Sequence, residues 1–475
     1  MSILKNDYIN FIKNNLLLVI SIPVIFNSGI NFIQRFDLIN LDKVAFAKII
    51  SFILGTLFFT YLSDFLNNQF LFGGRSVALV LYLTSYFIFD SVLMFVGKKM
   101  TFQSTFYLLS LFWCVLILFK TKSLVGIIKI VSFLSIYKIF NYLFFAELIN
   151  NTTYKELNTD VLAQWLDLAS MIYENNYFFA LGNNLIEGQG LLPSYIQALL
   201  FEIGFSYEKF QFIQVNSYLF ISFAILLITD LKISKINKII SFVLFISLIT
   251  NNDWLEYLLV NSLMIEGIVS FFISVYLYNF LQIFSNKNLV SFFFFLSFGG
   301  MVLTKNFVSL ICLLIIILSI FYIKRNIFLL SSFVVYILNL FYQKFYFSEL
   351  QNFAYTSEID FKDLFWDFIY LRDLDLNKVS DIIKQFLIDK PTTYIVLVFL
   401  IINFIIFRKF RLSFNTNELM FIFVILNYIL VNLLYISVWR FMEFESSYRY
   451  LISCFHIIFI SLVISVSKLE ESSKF

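Results

Sequence analysis

Apolar stretches of about 15 to 25 residues, parted by short polar breaks, recur along the whole chain. Each is long enough for a helix to cross the hydrocarbon core of a bilayer. The pattern therefore predicts an all-α, polytopic transmembrane bundle of about fourteen spans. Five lie near 13–30, 44–64, 76–97, 104–119 and 124–147, making an N-terminal block over 1–147. A polar interruption over 148–210 follows. Six spans near 211–229, 237–252, 258–283, 289–303, 306–323 and 327–342 form a central block over 211–342. After a second polar segment, 343–393, three spans near 394–408, 417–437 and 450–467 complete a C-terminal block over 394–475.

Basic residues in short loops set the orientation, because Lys and Arg are retained on the cytoplasmic side. Lys232, Lys235 and Lys238 share one loop, Lys324 and Arg325 another, and Arg408, Lys409 and Arg411 a third. Counting spans puts these on the same side as Lys5, Lys120 and Lys122. Both termini are then cytoplasmic, and 148–210, 253–257, 343–393 and 439–449 face outward. Lys98 and Lys99 run against this count. Trp165, Trp254, Trp366 and Trp439 fall in the outer segments, where an indole can bridge headgroups and water. The first apolar run follows Lys5 and Lys13 as a signal sequence would, but no small-residue cleavage site follows it, so an uncleaved anchor is expected.

Composition agrees. Of 475 residues, 60% are hydrophobic and 14% charged, and the mean hydropathy is +0.86. These values lie far from the balance of a soluble domain. A net charge of +3, widely dispersed, gives no basic surface for nucleic acid. Cys114, Cys312 and Cys454 lie in apolar runs, spaced for neither a disulfide framework nor a zinc site. With His456 as the single histidine, no His-based metal cluster or Ser-His-Asp triad can be assembled.

The two long outer segments read as amphipathic surface helices. In the first, Thr153 and Glu156 have capping-box spacing, and Leu157, Val161, Trp165, Leu168 and Ile172 recur at three- and four-residue steps. That stripe would let a helix lie flat on the outer membrane surface. Asp160, Gln164 and Asp167 share its polar side, which places two carboxylates on one face. The second segment, from Glu358 to Lys384, mixes both signs, as a solvated helical face does.

Beyond this helix, Asn183-Asn184-Leu185-Ile186-Glu187-Gly188-Gln189-Gly190-Leu191-Leu192-Pro193 leads into an apolar helix from Tyr195 to Phe201. The run is similar to the first external loop of GT-C glycosyltransferases, membrane enzymes that use polyprenyl-phosphate-linked sugars. Further on, Asn261-Ser262 with Glu266, Leu303-Thr304-Lys305, and Ser446-Ser447-Tyr448-Arg449-Tyr450-Leu451 resemble their Ser/Glu pair, "L-T-K" and "S-x-R-Y-L". These features follow one another in the family's order between about 150 and 470, and they suit a mannosyltransferase-like member. Five spans precede the acidic loop here, where the family usually has one.

The resemblance implies transfer of a sugar from a polyprenyl phosphate to a lipid, glycan or protein acceptor at the outer face of the cytoplasmic membrane. An acceptor hydroxyl needs a positioned carboxylate as general base, and Asp160, then Asp167, would serve, with Glu174 a third candidate. The departing lipid phosphate needs cations, for which Arg449, beside Tyr448, and Lys305 are placed. Basic residues near helix ends also snorkel to headgroups without further purpose. Asp253 and Glu256 could assist the base or hold a divalent cation with Asp160, and Glu266 would line the substrate. No metal ligand is assigned. Two rivals remain within envelope polysaccharide chemistry: a lipid-linked oligosaccharide flippase and an O-antigen-type polymerase. The flippase reading expects repeated halves, broken helices and charges inside the bilayer, whereas charge here gathers at span ends. The polymerase reading expects arginines in the outer loops, and 343–393 holds only Arg372.

Overall fold

The computed structural model describes residues 43–71, 74–96, 100–121, 124–145, 167–176, 192–203, 215–230 and 234–249, with helical residues at 268, 271, 272, 275 and 377–380. Among them there is no strand, and the all-α class expected from the sequence holds. The helices are α1 (Lys43–Phe70), α2 (Arg75–Phe95), α3 (Phe102–Thr121), α4 (Val125–Phe145), α5 (Asp167–Glu174), α6 (Leu192–Ile203), α7 (Val215–Asp230) and α8 (Lys235–Ile249).

Two compact units divide the chain. One comprises Ile39–Leu226 with Glu256–Tyr355, and the other Met1–Leu38, Leu227–Leu255 and Thr356–Phe475. The first carries α1 to α6 and most of α7. The second carries the last turn of α7 and all of α8.

Six of the expected spans, 44–64, 76–97, 104–119, 124–147, 211–229 and 237–252, coincide with helices. The span at 13–30 and those beyond 283 lie outside the described residues, and of 258–283 residues 268, 271, 272 and 275 are described, all helical. Among the described helices, α3 is long and apolar enough to cross a membrane, with a hydropathy of 1.9. Ile53–Phe70 and Arg75–Asp90 reach that length and apolarity taken together, and the chain bends by 95° at the break between them. The residues read as spans at 44–64 and 76–97 are thus helical and are joined by a right-angle break.

The corner is built from polar residues at the end of α1. Leu71 adopts φ 53°, and its N–H donates to the Asn67 carbonyl at 2.8 Å, the bond of a left-handed helix cap. The Asn67 side chain accepts from the Gly74 N–H at 3.2 Å. Ser63 Oγ donates to the Arg75 carbonyl. Asp64 accepts from Asn68 Nδ2 at 3.2 Å and pairs with Arg75 Nη1 at 3.5 Å.

From that corner α2 runs through the centre of its unit. Val77, Ala78, Leu79, Val80 and Leu81 are all buried, covering more than one full turn, as an enclosed helix requires. α1, α3 and α6 pack against it. Ser222 Oγ of α7 donates to the Thr56 carbonyl of α1 at 3.2 Å. α4 packs on α1, where Gly126 faces Phe65 so closely that a β-carbon would stand 2.4 Å from its ring.

The starts of α3 and α8 follow from their sequence. Thr101 Oγ1 accepts the Ser104 N–H at 3.3 Å, and Ser234 Oγ accepts the Asn237 N–H at 3.3 Å, each satisfying a donor with no partner inside its helix. In the second unit Lys238 Nζ donates to the Thr229 carbonyl at 2.8 Å, closing the end of α7.

Candidate functional site

α3 sorts its residues by face. Phe102, Thr105, Leu109 and Ile117 are buried, whereas Tyr107, Leu111, Phe112, Val115 and Phe119 are exposed, Phe119 by 84%. α4 adds Ile128, Val131, Ile136 and Ile139 to the exposed apolar residues. Uncovered apolar surface on this scale marks an interaction with something other than water. Thr105, Ser110 and Trp113 of α3 turn the other way, toward α2.

There the interior is aromatic and hydroxylated. The Tyr86 hydroxyl meets the Tyr82 hydroxyl at 3.0 Å and Ser110 Oγ at 2.9 Å. Trp113 Nε1 donates to Ser85 Oγ at 3.1 Å, and that hydroxyl donates to the Tyr82 carbonyl at 2.7 Å. Tyr82, Tyr86 and Asp90 recur every four residues and so follow one face of α2.

Asp90 closes this row. It is only 6% exposed, in a helix whose neighbours are Phe87, Ile88, Phe89, Val92 and Leu93. Thr105 Oγ1 donates to its Oδ1 at 3.3 Å. Its Oδ2 is buried with no hydrogen-bond partner among the described residues. Tyr195 of α6, 1% exposed, stands within hydrogen-bonding reach of the same carboxyl and of the Tyr86 carbonyl, to which it donates at 3.2 Å. Burial, and then the Asp90 carboxyl, pushes the Tyr195 phenol well above its usual range, so this hydroxyl keeps its proton at neutral pH.

α5 and α6 complete the surroundings. They pack on each other, α5 also meets α3, and α6 also meets α2. Phe87 and Phe102 each set a ring edge-on against Tyr195 with centroids 5.4 Å apart. Tyr173 of α5 meets Phe201 of α6 at 6.0 Å. At the surface, Tyr107 donates to Glu202 Oε1 at 2.8 Å.

Of the residues singled out from sequence, Asp167 opens α5 and Glu174 ends it, exposed. Asp160, Asp253, Glu256, Glu266, Lys305, Tyr448 and Arg449 lie outside the described residues. The apolar stripe expected to rest on lipid has a different cover at its end: Leu168 and Ile172 are 6% and 0% exposed, in a helix packed on α6 and α3. Asp90 was missed because one acid hardly changes a hydropathy average. The available signal was its isolation, as the only ionisable side chain other than tyrosine from Ser76 to Val96.

No group of three His, Cys, Asp or Glu that could hold a metal ion occurs among the described residues. No protein-family model, curated protein or solved structure matches the chain. The geometry thus defines a class alone, an all-helical protein with exposed apolar helix faces and a buried carboxyl at the meeting of three helices.

Proposed function

We propose that the chain is a multi-pass protein of the cytoplasmic membrane that transfers a sugar from a polyprenyl-phosphate donor to an acceptor at the outer face. The observation that carries this reading is the ordered set of GT-C-like motifs from the acidic helix to Ser446-Ser447-Tyr448-Arg449-Tyr450-Leu451.

Helix packing supports it. The GT-C-like loop contributes both α5 and α6, and these sit together against the C-terminal part of α2 and the N-terminal part of α3. Charge counting from the Lys232, Lys235 and Lys238 loop assigns 148–210, and so α5 and α6, to the outer side. The exposed apolar residues of α3 and α4 suit lipid contact, and 20 residues of α3 span about 30 Å, the thickness of a hydrocarbon core.

In this reading Asp160 takes the proton of the acceptor hydroxyl as it attacks the anomeric carbon, with inversion, and Asp167 is its alternate. Arg449 and Lys305 stabilise the departing phosphate. Asp253, Glu256, Glu266 and Tyr448 line the substrate. Reconstituting the full chain with labelled polyprenyl-phosphate mannose and an acceptor extract tests this. Transfer by the wild type that is lost in Asp160→Asn supports the assignment, and full transfer by both Asp160→Asn and Asp167→Asn overturns the base.

One observation favours a second reading. Asp90 is an acid enclosed within an apolar helix, the feature expected of a lipid-linked oligosaccharide transporter rather than of an enzyme acting at the surface. Movement of a fluorescent lipid-linked saccharide across a vesicle membrane without sugar transfer would select it.

A further inference from the structure

We propose that Asp90, Thr105, Tyr195 and the backbone carbonyl of Tyr86 form a binding site for a dehydrated monovalent cation of sodium size. The inference does not rest on glycosyl transfer and holds for enzyme and transporter alike.

The donor set comes first. Asp90 supplies a buried carboxylate whose Oδ2 accepts no hydrogen bond among the described residues. Thr105 Oγ1 lies 3.3 Å from Oδ1, and the Tyr195 hydroxyl lies 3.2 Å from the Tyr86 carbonyl oxygen. α2, α3 and α6 thus bring together hard oxygens of three kinds: carboxylate, hydroxyl and carbonyl. Hard cations without d-electron preferences take such oxygens.

Charge and spacing select the ion. Divalent cations are usually held by several carboxylates, and no group of three potential acidic, Cys or His ligands occurs among the described residues. One carboxylate balances one positive charge. A buried carboxylate without a cation or full hydrogen bonding carries a large desolvation cost, which a bound ion would offset. The oxygen pairs, at 3.2 and 3.3 Å, are wider than the roughly 2.7–2.8 Å of an ordinary hydroxyl bond. Neighbouring ligands at right angles around a cation with bonds of about 2.3–2.6 Å stand roughly 3.3–3.7 Å apart, which the 3.3 Å pair meets and the 3.2 Å pair approaches. Sodium has nearly the bond length of calcium with half its charge. Asp90 lies five residues before Phe95, about 7.5 Å from the end of α2, so an ion need cross only a short distance to reach it.

The test uses the purified full chain in lipid nanodiscs, melted at constant ionic strength in sodium, potassium or choline chloride. A ligand that binds the folded state raises the midpoint saturably. Sodium is expected to raise it by about 2 °C or more over choline, with a weaker effect of potassium. Asp90→Asn should abolish the rise, and Thr105→Val or Tyr195→Phe should move it to higher sodium concentration. Should Asp90→Asn fail to fold, the latter two variants and binding of radioactive sodium to wild type decide the matter. Equal midpoints in all three salts overturn the proposal, as does a sodium response retained in Asp90→Asn. A midpoint that depends on pH but not on sodium also overturns it, by assigning the carboxyl to a proton.

Discussion

The backbone N–H of Phe102 donates to the carbonyl of Asn175 at 3.1 Å. The first turn of α3 thereby uses the residue that follows α5 as an acceptor, and Asn175 in turn donates to Met171 at 3.1 Å. One segment thereby supplies the acceptor for a donor of another far away in sequence, a stronger tie than apolar contact alone because unmet buried donors are costly.

Thr101 is expected to matter to this junction. Thr101→Ala removes the acceptor for the Ser104 N–H and should cost about 1 kcal/mol. Hydrogen exchange would show faster exchange at 104–106, while Thr101→Ser should keep the wild-type rate.

Gly126 is a contact point between α1 and α4. A β-carbon there meets the Phe65 ring at 2.4 Å, so Gly126→Val forces the ring aside and should lower stability by about 1–3 kcal/mol. Phe65→Ala opens that space, and the double variant should melt higher than the sum of the two single losses predicts. Strict additivity would refute the contact.

The Tyr86 hydroxyl joins two helices. Tyr86→Phe leaves Ser110 and Tyr82 without a shared partner, and about 1–3 kcal/mol of stability should go with it. Tyr86→Phe paired with Ser110→Ala should recover part of that loss, which a thermal midpoint series would register.

Leu71 holds a left-handed conformation at φ 53°, which costs a residue with a β-carbon about 1–2 kcal/mol. Its side chain is 78% exposed, so little packing opposes a change. Leu71→Gly should be neutral or stabilising, and Leu71→Val should lower the midpoint. Equal midpoints for the two variants would show that the turn does not require this conformation.

Arg449 is the strongest test of the donor side of the proposed reaction. Arg449→Ala should raise the KM for polyprenyl-phosphate mannose, with Arg449→Lys recovering only part of the activity because lysine lacks the bidentate fork. A variant with unchanged donor dependence would leave Arg449 as an interfacial anchor.

Much of the helical layout was legible in hydropathy. The spans read at 76–97 and 104–119 differ from α2 and α3 by no more than two residues at either end, because apolar length is what a sliding average measures. α1 instead continues to Phe70, through Asp64, Asn67 and Asn68, whose side chains build the corner and so remain in the helix. The right-angle turn was illegible, since length carries no direction. Leu168 and Ile172 were recognised as one face, but periodicity cannot say whether lipid or α6 covers it. Asp90 escaped for a related reason: its meaning depends on Thr105 and Tyr195, which only packing brings to it.

The bond between Phe102 and Asn175 also has a temporal side. Its acceptor is synthesised about 70 residues after its donor, which at ordinary translation rates is a delay of about 4–15 s. Throughout that interval the nascent α3 has its Thr101 cap, made from residues already present, but lacks the Asn175 acceptor and the cover of α5 and α6. A ribosome-bound chain truncated before Asn175 would therefore expose Phe102 and Asp90 to whatever surrounds it, making this a stage at which a chaperone or a protease has access to both.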